Sequence, residues 1–265
     1  MIRIDQPDDP RIAGFRDIRE RDLTGRQGLF VAEGEVVLNV LMSDRSLCRP
    51  VALLLDSKRV EGLAGVLARV ADDTPVYVAS QPVLDAIAGF HLHRGILALG
   101  EKPSVRSLEA CLDGTGPDAV VVAACGIGNH DNIGGVFRNA AAFGAGAVLL
   151  DAHCCDPFYR KAIRVSVGAV LRTPMATGLD AVAMVEGLKA AGFEVLALTP
   201  GASEPLDRAP RAGRVAIVLG PEGPGLSPAV IGRCRPVGIP MSGGFDSLNV
   251  AVASGIALYH FTRKA

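Results

Sequence analysis

The sequence predicts an α/β protein made of two parts, each a parallel sheet covered by helices, with the smaller part first. Three observations predict it. Short β-rich apolar runs alternate with helical segments of about ten residues. Some of these runs, such as AVVVAACGI (119–127), are apolar throughout, as strands buried on both faces require. The pattern also stops once, over 101–118, and then restarts.

The first part opens with LFVAEGEVVLNVLM, helical in its second half, followed by the strand VALLLD (51–56). GLAGVLARVA (62–71) repeats apolar residues near the helical period, and PVYVAS (75–80) is a strand. QPVLDAIAG opens a helix with Pro82 in its first turn, and GILALG (95–100) closes the set as a strand. EKPSVRSLEACLDGTGPD (101–118) is polar, rich in Pro and Gly, and is the expected linker between domains 1–100 and 119–265.

The second part starts with the strand 119–127 and the helix NIGGVFRNAAAFGA, whose Ile133, Val136, Phe137, Ala140 and Ala141 share a face. AVLLDA is a strand, KAIRVSVGAVLR a helix, and AVAMVEGLKAAG a helix ended by Gly192. EVLALT and RVAIVLG are strands, LSPAVIGRC a short helix and VGIP a strand edge. SLNVAVASGIALYHFTRK is a long final helix.

Composition limits the function. Of 265 residues, 49% are hydrophobic and 21% charged, with a mean hydropathy of +0.32. That supports a large core and excludes a disordered chain. No run reaches the ~18 apolar residues of a membrane span, and MIRIDQPDDPRI lacks the features of a secretory signal, so a cytoplasmic protein is expected. The six cysteines, including adjacent Cys154 and Cys155, have no CxxC spacing and are expected as free thiols. His91 and His93 have no nearby Cys ligand or carboxylate pair, and no metal site is expected.

A net charge of −1 argues against gripping nucleic acid by bulk charge. The balance is uneven, with 14 Lys/Arg against 18 Asp/Glu in 1–118 and 13 against 10 in 119–265. Of the 27 basic residues, 22 are Arg, the residue suited to fork-like phosphate contacts.

Three segments differ from ordinary core. Asn132-Ile133-Gly134-Gly135-Val136-Phe137-Arg138-Asn139-Ala140 follows a strand; Asn132 or Asp131 can cap the helix, and Gly134 and Arg138 share a face. Leu219-Gly220-Pro221-Glu222-Gly223-Pro224-Gly225-Leu226-Ser227 is a Gly/Pro loop around one carboxylate, neither a P-loop nor GxGxxG. Its glycines admit close backbone approach to a ligand. Ile239-Pro240-Met241-Ser242-Gly243-Gly244-Phe245-Asp246-Ser247-Leu248-Asn249-Val250 runs from a strand end through a Gly-rich loop into a helix whose first turn carries Ser247 and Asn249. Taken singly, the first and third read as capped helix starts, and the second reads as a ligand loop or a plain turn alike.

In order and content the three resemble the signature motifs of the SpoU-type RNA 2′-O-ribose methyltransferases of the SPOUT superfamily. NxGxxxRxA is met by Asn132, Gly134, Arg138 and Ala140, and GxExxGLS by Gly220, Glu222, Gly225, Leu226 and Ser227. IPMxGxxxSLNVxVA is met from Ile239 through Ala253, and Arg164, Ser166 and Gly168 resemble the family's RxSxGA. FVAEGEVVLNVL (30–41) resembles the opening helix of the family's N-terminal domain. One departure is Gly128-Asn129-His130-Asp131, where many members carry an Asp-Pro-Gly-like turn.

The resemblance implies a methyltransferase half with a deep trefoil knot, a fold that periodicity does not foretell. It implies a smaller N-terminal RNA-binding domain resembling a ribosomal protein, with Arg residues of 11–26 as candidate contacts. It implies S-adenosylmethionine as cofactor, held by loops 198–201, 219–225 and 239–248 through Thr199, Leu219, Gly220, Gly225, Ile239, Met241 and Leu248. It implies Arg138 as the residue that binds RNA phosphate and orients the 2′-hydroxyl, with Asn132, Glu222, Ser247 and Asn249 shaping the substrate pocket. An RNA partner, rRNA or tRNA, and a homodimer follow, with Leu248, Val252, Gly255 and Tyr259 on one face of the final helix at the interface or in internal core. The alternatives are an inactive RNA-binding module of the same fold and an antibiotic-resistance type of rRNA methylation. A dinucleotide-dependent enzyme would need the missing GxGxxG turn.

Overall fold

The computed structural model describes residues 1–16, 28–89, 91–210, 213–243 and 246–263. They form two compact units: Met1–Pro103 with Phe158–Arg172, and Ser104–Pro157 with Thr173–Ala265. The break near 103 falls inside the stretch expected as linker, whereas 158–172, placed by sequence in the second half, packs with the first unit.

The first unit holds β1 (Ile2–Ile4), β2 (Leu29–Glu33), α1 (Glu35–Leu41), β3 (Arg49–Asp56), α2 (Ala64–Leu67), β4 (Val76–Ala79), α3 (Gln81–Ala88) and β5 (Ile96–Glu101). The sheet order is β1-β4-β3-β5-β2. β1, β4 and β3 run parallel, but β5 pairs antiparallel with both β3 and β2, so the expected parallel sheet is here a mixed one. The antiparallel edge is built on Phe30, which lies opposite Gly100; a Cβ at Gly100 would collide with the ring. One face buries Ile4, Ile12, Phe15, Leu54, Leu84 and Leu97.

KAIRVSVGAVLR is not one helix. The helix here, α6 once the second unit's α4 and α5 are counted, covers only Arg160–Val165. Val167 and Gly168 then take φ of 49° and 82°, and the Gly168 N–H donates to Ile163 O at 2.9 Å. That six-to-one bond closes a helix C-terminus, and it needs left-handed backbone that only glycine adopts freely. A Cβ at Gly168 would also press on Val40, at 3.1 Å.

The second unit holds α4 (Leu108–Leu112), β6 (Val120–Ala124), α5 (His130–Phe143), β7 (Val148–Asp151), β8 (Met175–Leu179), α7 (Ala181–Ala190), β9 (Glu194–Leu198), β10 (Val215–Leu219), α8 (Pro228–Ile231), β11 (Arg235–Val237) and α9 (Val250–Thr262). All six strands are parallel, ordered β11-β9-β10-β6-β7-β8. Leu108, Met184, Val185 and Leu188 cover one face over Val121, Ala123, Ala216 and Val218. The expected linker thus contains a helix, capped by the Ser107 hydroxyl, that belongs to this core.

α5 and α9 pack closely. A Cβ on Gly135 would lie 2.5 Å from Ala251 Cβ, and the Asn139 amide donates to Ala251 O at 2.6 Å. Asn129, rather than Asn132 or Asp131, caps α5, accepting from the Asp131 N–H at 2.8 Å. No helix among the described residues is long and apolar enough to cross a membrane.

Candidate active site

Parallel sheets bind ligands beyond the carboxyl ends of their strands. Here β9 and β10 end at a cavity of about 600 Å³ in the second unit. Thr199, Leu219, Gly220, Gly225, Ile239, Met241 and Leu248, all expected to hold a cofactor, line it together. Glu222, Ser247 and Asn249 line it as well. Its size suits an organic ligand of nucleoside scale.

The loop after β10 turns back on Gly220. A Cβ there would come within 2.6 Å of Leu226 N and 2.8 Å of Gly225 C, both backbone atoms. Gly223 and Gly225 take φ of 87° and 68°, so the loop's shape depends on residues lacking a Cβ. Ser227, in the same motif, caps α8 and accepts from the Val230 N–H at 3.4 Å.

Asn249 is the N-cap of α9, accepting from Ala251 N–H at 2.9 Å and Val252 N–H at 3.3 Å. Ser247 and Leu248 therefore precede the helix instead of opening it. Leu248 lines the cavity and is not part of a helical face. The Asn249 amide donates to Asn132 Oδ1 at 2.8 Å and to Glu222 Oε1 at 3.0 Å. Asn132, only 5% exposed, is absent from the cavity wall and meets the site through this bond.

Arg138 is exposed on α5 and does not line the cavity of its own chain. Gly134, one turn before it on the same helix, is buried, whereas Arg138 is exposed. Arg138 directly precedes Asn139, which lines a separate groove between α5 and α9 with Phe143, Val252, Ile256 and Tyr259. Of the face expected on the final helix, Val252 and Tyr259 are 53% and 50% exposed and not internal core, whereas Gly255 packs against Asn139.

The sequence reading missed Ile231 on the cavity wall and gave no role to Asp246, which lies in the loop 239–248 expected to hold the cofactor. Asp246 fills a variable position of the third motif and carries no spacing signal; Ile231 reads as an ordinary helix residue. The wall carries two carboxylates, Glu222 and Asp246, and no Lys, Arg or His among the described residues. Gly244 and Phe245 of the third motif, and Arg19, Arg21 and Arg26 of 11–26, lie outside the described residues. Among the described residues no cluster of three or more His, Cys, Asp or Glu could hold a metal.

Residues 119–259 match the SpoU rRNA Methylase family. The chain is 40% identical over 268 residues to an uncharacterized tRNA/rRNA methyltransferase of Mycobacterium bovis, covering 97% of this chain and 90% of the relative. An RNA 2′-O ribose methyltransferase of known structure superimposes with a TM-score of 0.75 at 29% identity, over 98% of this chain and 97% of that one. The S-adenosylmethionine-bound rRNA methyltransferase of Sinorhizobium meliloti shares the fold, with a TM-score of 0.79 at 24% identity over 97% and 96% of the two chains.

Proposed function

Because this chain belongs to the SpoU rRNA methylase family, we propose that it methylates a ribose 2′-hydroxyl of structured RNA, rRNA or tRNA, using S-adenosylmethionine and acting as a homodimer in the cytoplasm. The first unit binds the RNA, and the second, with the family's trefoil knot, carries the reaction.

The observation that carries this reading is the charge of the cavity. S-adenosylmethionine bears a sulfonium, an ammonium and a carboxylate, a net +1. A wall with two carboxylates and no basic residue among those described suits such a ligand. Leu219, Ile239, Met241 and Leu248 offer the apolar bed that an adenine needs, and the Gly/Pro loops bring backbone groups close to it. Bound there, the cofactor would supply an electrophilic methyl group.

The chain's own task is alignment and management of one proton. Asn249 fixes the positions of Asn132 and Glu222 relative to each other, which sets the floor of the substrate pocket. Arg138 grips an RNA phosphate and orients the 2′-hydroxyl. A guanidinium holds its proton and is a poor base, so the hydroxyl proton leaves late, toward phosphate or solvent.

A site completed by a second copy accounts for the position of Arg138 outside its own chain's cavity. The apolar groove of Val252, Ile256 and Tyr259, lined on α5 by Asn139, the residue after that arginine, is the surface proposed for the second copy.

The test is calorimetry with S-adenosylmethionine followed by radiolabel transfer to total RNA and mapping of ribose methylation. One site per chain, insensitive to EDTA, and a 2′-O-methyl product are expected. Absence of cofactor binding at millimolar concentration removes the reading, and label on a base instead of ribose changes the reaction class.

A further inference from the structure

The first unit contains a second cavity, of about 420 Å³, that the proposed reaction does not use. It lies at the edge of the sheet where β2 and β3 end and β5 begins. Glu35 and Val36 open α1, Asp56 ends β3, Arg59 follows in a 3-10 turn, and His93 and Arg94 lead into β5.

One wall of the pocket is buried. Asp56 is only 6% exposed, and its Oδ1 accepts from the Lys58 N–H at 3.0 Å. Arg59 donates to Glu35 Oε2 at 3.2 Å. Arg94 lies across Gly34, where φ is +89° and a Cβ would come 2.8 Å from both Cδ and Nη1 of the arginine. Gly95, at φ +61°, gives Asp56 the same close approach, with a notional Cβ 2.8 Å from Asp56 Cβ. Two glycines therefore clear the walls. Arg94 forms no ion pair or hydrogen bond with the described residues, and Val36 is 56% exposed beside it.

Two guanidiniums and two carboxylates cancel in charge, so the cavity is unsuited to a bare phosphate. It offers paired donors, paired acceptors and flat polar surfaces together, which is what an unstacked nucleobase needs. Guanine fits this set best. Its N7 and O6 accept from an arginine fork, and its N1–H and N2–H donate to a carboxylate. Adenine turns an acceptor, N1, toward the carboxylate, and uracil has a single N–H.

We propose that this cavity receives an unpaired guanine of the substrate RNA, with Arg94 donating to O6 and N7, Glu35 accepting from N1–H and N2–H, and His93 and Val36 flanking the ring. This inference rests on the reading of the chain as an RNA methyltransferase, and it assigns base selection to the first unit.

The test measures anisotropy of the full chain with short fluorescein-labelled oligouridylates carrying one central G, A, C or inosine. Guanosine is expected to bind at least about tenfold tighter than A or C, the scale of one good bidentate pair, with inosine between them. Glu35→Gln and Arg94→Ala should each abolish the preference while S-adenosylmethionine affinity, measured on the same samples, stays at the wild-type value. Equal binding of all oligonucleotides, a preference that survives both variants, or a uniform loss across sequences that marks a phosphate contact would each overturn the proposal. Normal cofactor binding in those cases leaves the methyltransferase reading standing, whereas lost cofactor binding in the wild type strikes that reading alone.

Discussion

Asn249 donates its side-chain amide to Asn132 Oδ1 at 2.8 Å across 117 residues of sequence, while its own oxygen caps the final helix. A second amide contact, to Glu222 at 3.0 Å, ties in the Gly/Pro loop. One side chain thus joins all three motifs, and each of its polar atoms is used. The helix cap and the site geometry depend on the same residue but on different atoms of it.

That separation is testable. Asn249→Asp keeps the capping oxygen, and Asp caps as well as Asn. It removes both donated bonds and sets a second carboxylate beside Glu222. The melting temperature should fall by a few degrees, because the helix cap is kept while the buried Asn132 oxygen loses its donor at about 1–3 kcal/mol. Methyl transfer should fall at least about tenfold, consistent with the loss of about 1.4 kcal/mol of positioning. Asn249→Ala should also lose about 1 kcal/mol of helix stability. A fully active Asp variant would show that the bridge is incidental.

Why the bridge was invisible in sequence is a matter of distance. Asn132, Glu222 and Asn249 were legible as motif members because their spacings are fixed locally. Their mutual hydrogen bonds depend on β6, β10 and the start of α9 meeting, which no local period encodes. The strand runs 51–56 and 214–220 were legible because burial on both faces requires uninterrupted apolar residues. The antiparallel edge of the first sheet was not: LFVAE lacks alternation, and its pairing rests on Phe30 over Gly100, a long-range fit. The helix break after Val165 was hidden too, because Val167 is a poor candidate for left-handed backbone and gave no warning.

Gly220 provides a second test, on the cofactor loop. A methyl there meets backbone at 2.6 and 2.8 Å, so the loop must shift. Gly220→Ala should weaken S-adenosylmethionine at least about tenfold in calorimetry and cost about 1–3 kcal/mol in denaturant unfolding, as overpacking does. Gly116→Ala, away from the cavity, is the control, since nothing lies within 4 Å of its Cβ position. Equal affinities for the two variants would mean that the loop tolerates the methyl.

The thiols make a pH prediction. Burial pushes Cys48 and Cys125 from 9.0 up to about 12, and Cys155 to about 11. A pKa raised on folding stabilises the protein fully below the unfolded value, and that contribution fades as pH climbs through the folded value. Stability from these groups should therefore be constant at pH 6–8 and decline from about pH 9 toward 12. At pH 8 the folded chain should react slowly with iodoacetamide, and unfolding should release all six cysteines. Rapid labelling of Cys125 in the folded protein would contradict its burial. Cys125→Ala should flatten part of the alkaline limb.

Arg138 is exposed and forms no hydrogen bond or ion pair with the described residues. Arg138→Ala should leave the fold within about 0.5 kcal/mol of wild type, as surface changes do. Cofactor affinity should be unchanged and methyl transfer abolished. Arg138→Lys should also be poor, because a point charge cannot replace a planar fork. Near-normal turnover of the Ala variant would remove Arg138 from the site.

The last prediction asks whose cavity Arg138 serves. Neither Arg138→Ala nor Gly220→Trp should act alone: the first lacks the fork, and the second fills the space where the backbone approaches Leu226. In a dimer whose sites each combine one chain's cavity with the other chain's arginine, mixing the two variants restores one site per mixed dimer. That site pairs the cavity of the Arg138→Ala chain with the arginine of the Gly220→Trp chain. Random exchange makes about half of the dimers mixed, each with one good site of two, so recovery near about a quarter of wild-type activity is expected. Native mass spectrometry would verify the exchange. If mixed dimers form and activity does not return, Arg138 serves its own chain's cavity, and its exposed position on α5 must be closed by a movement within the chain.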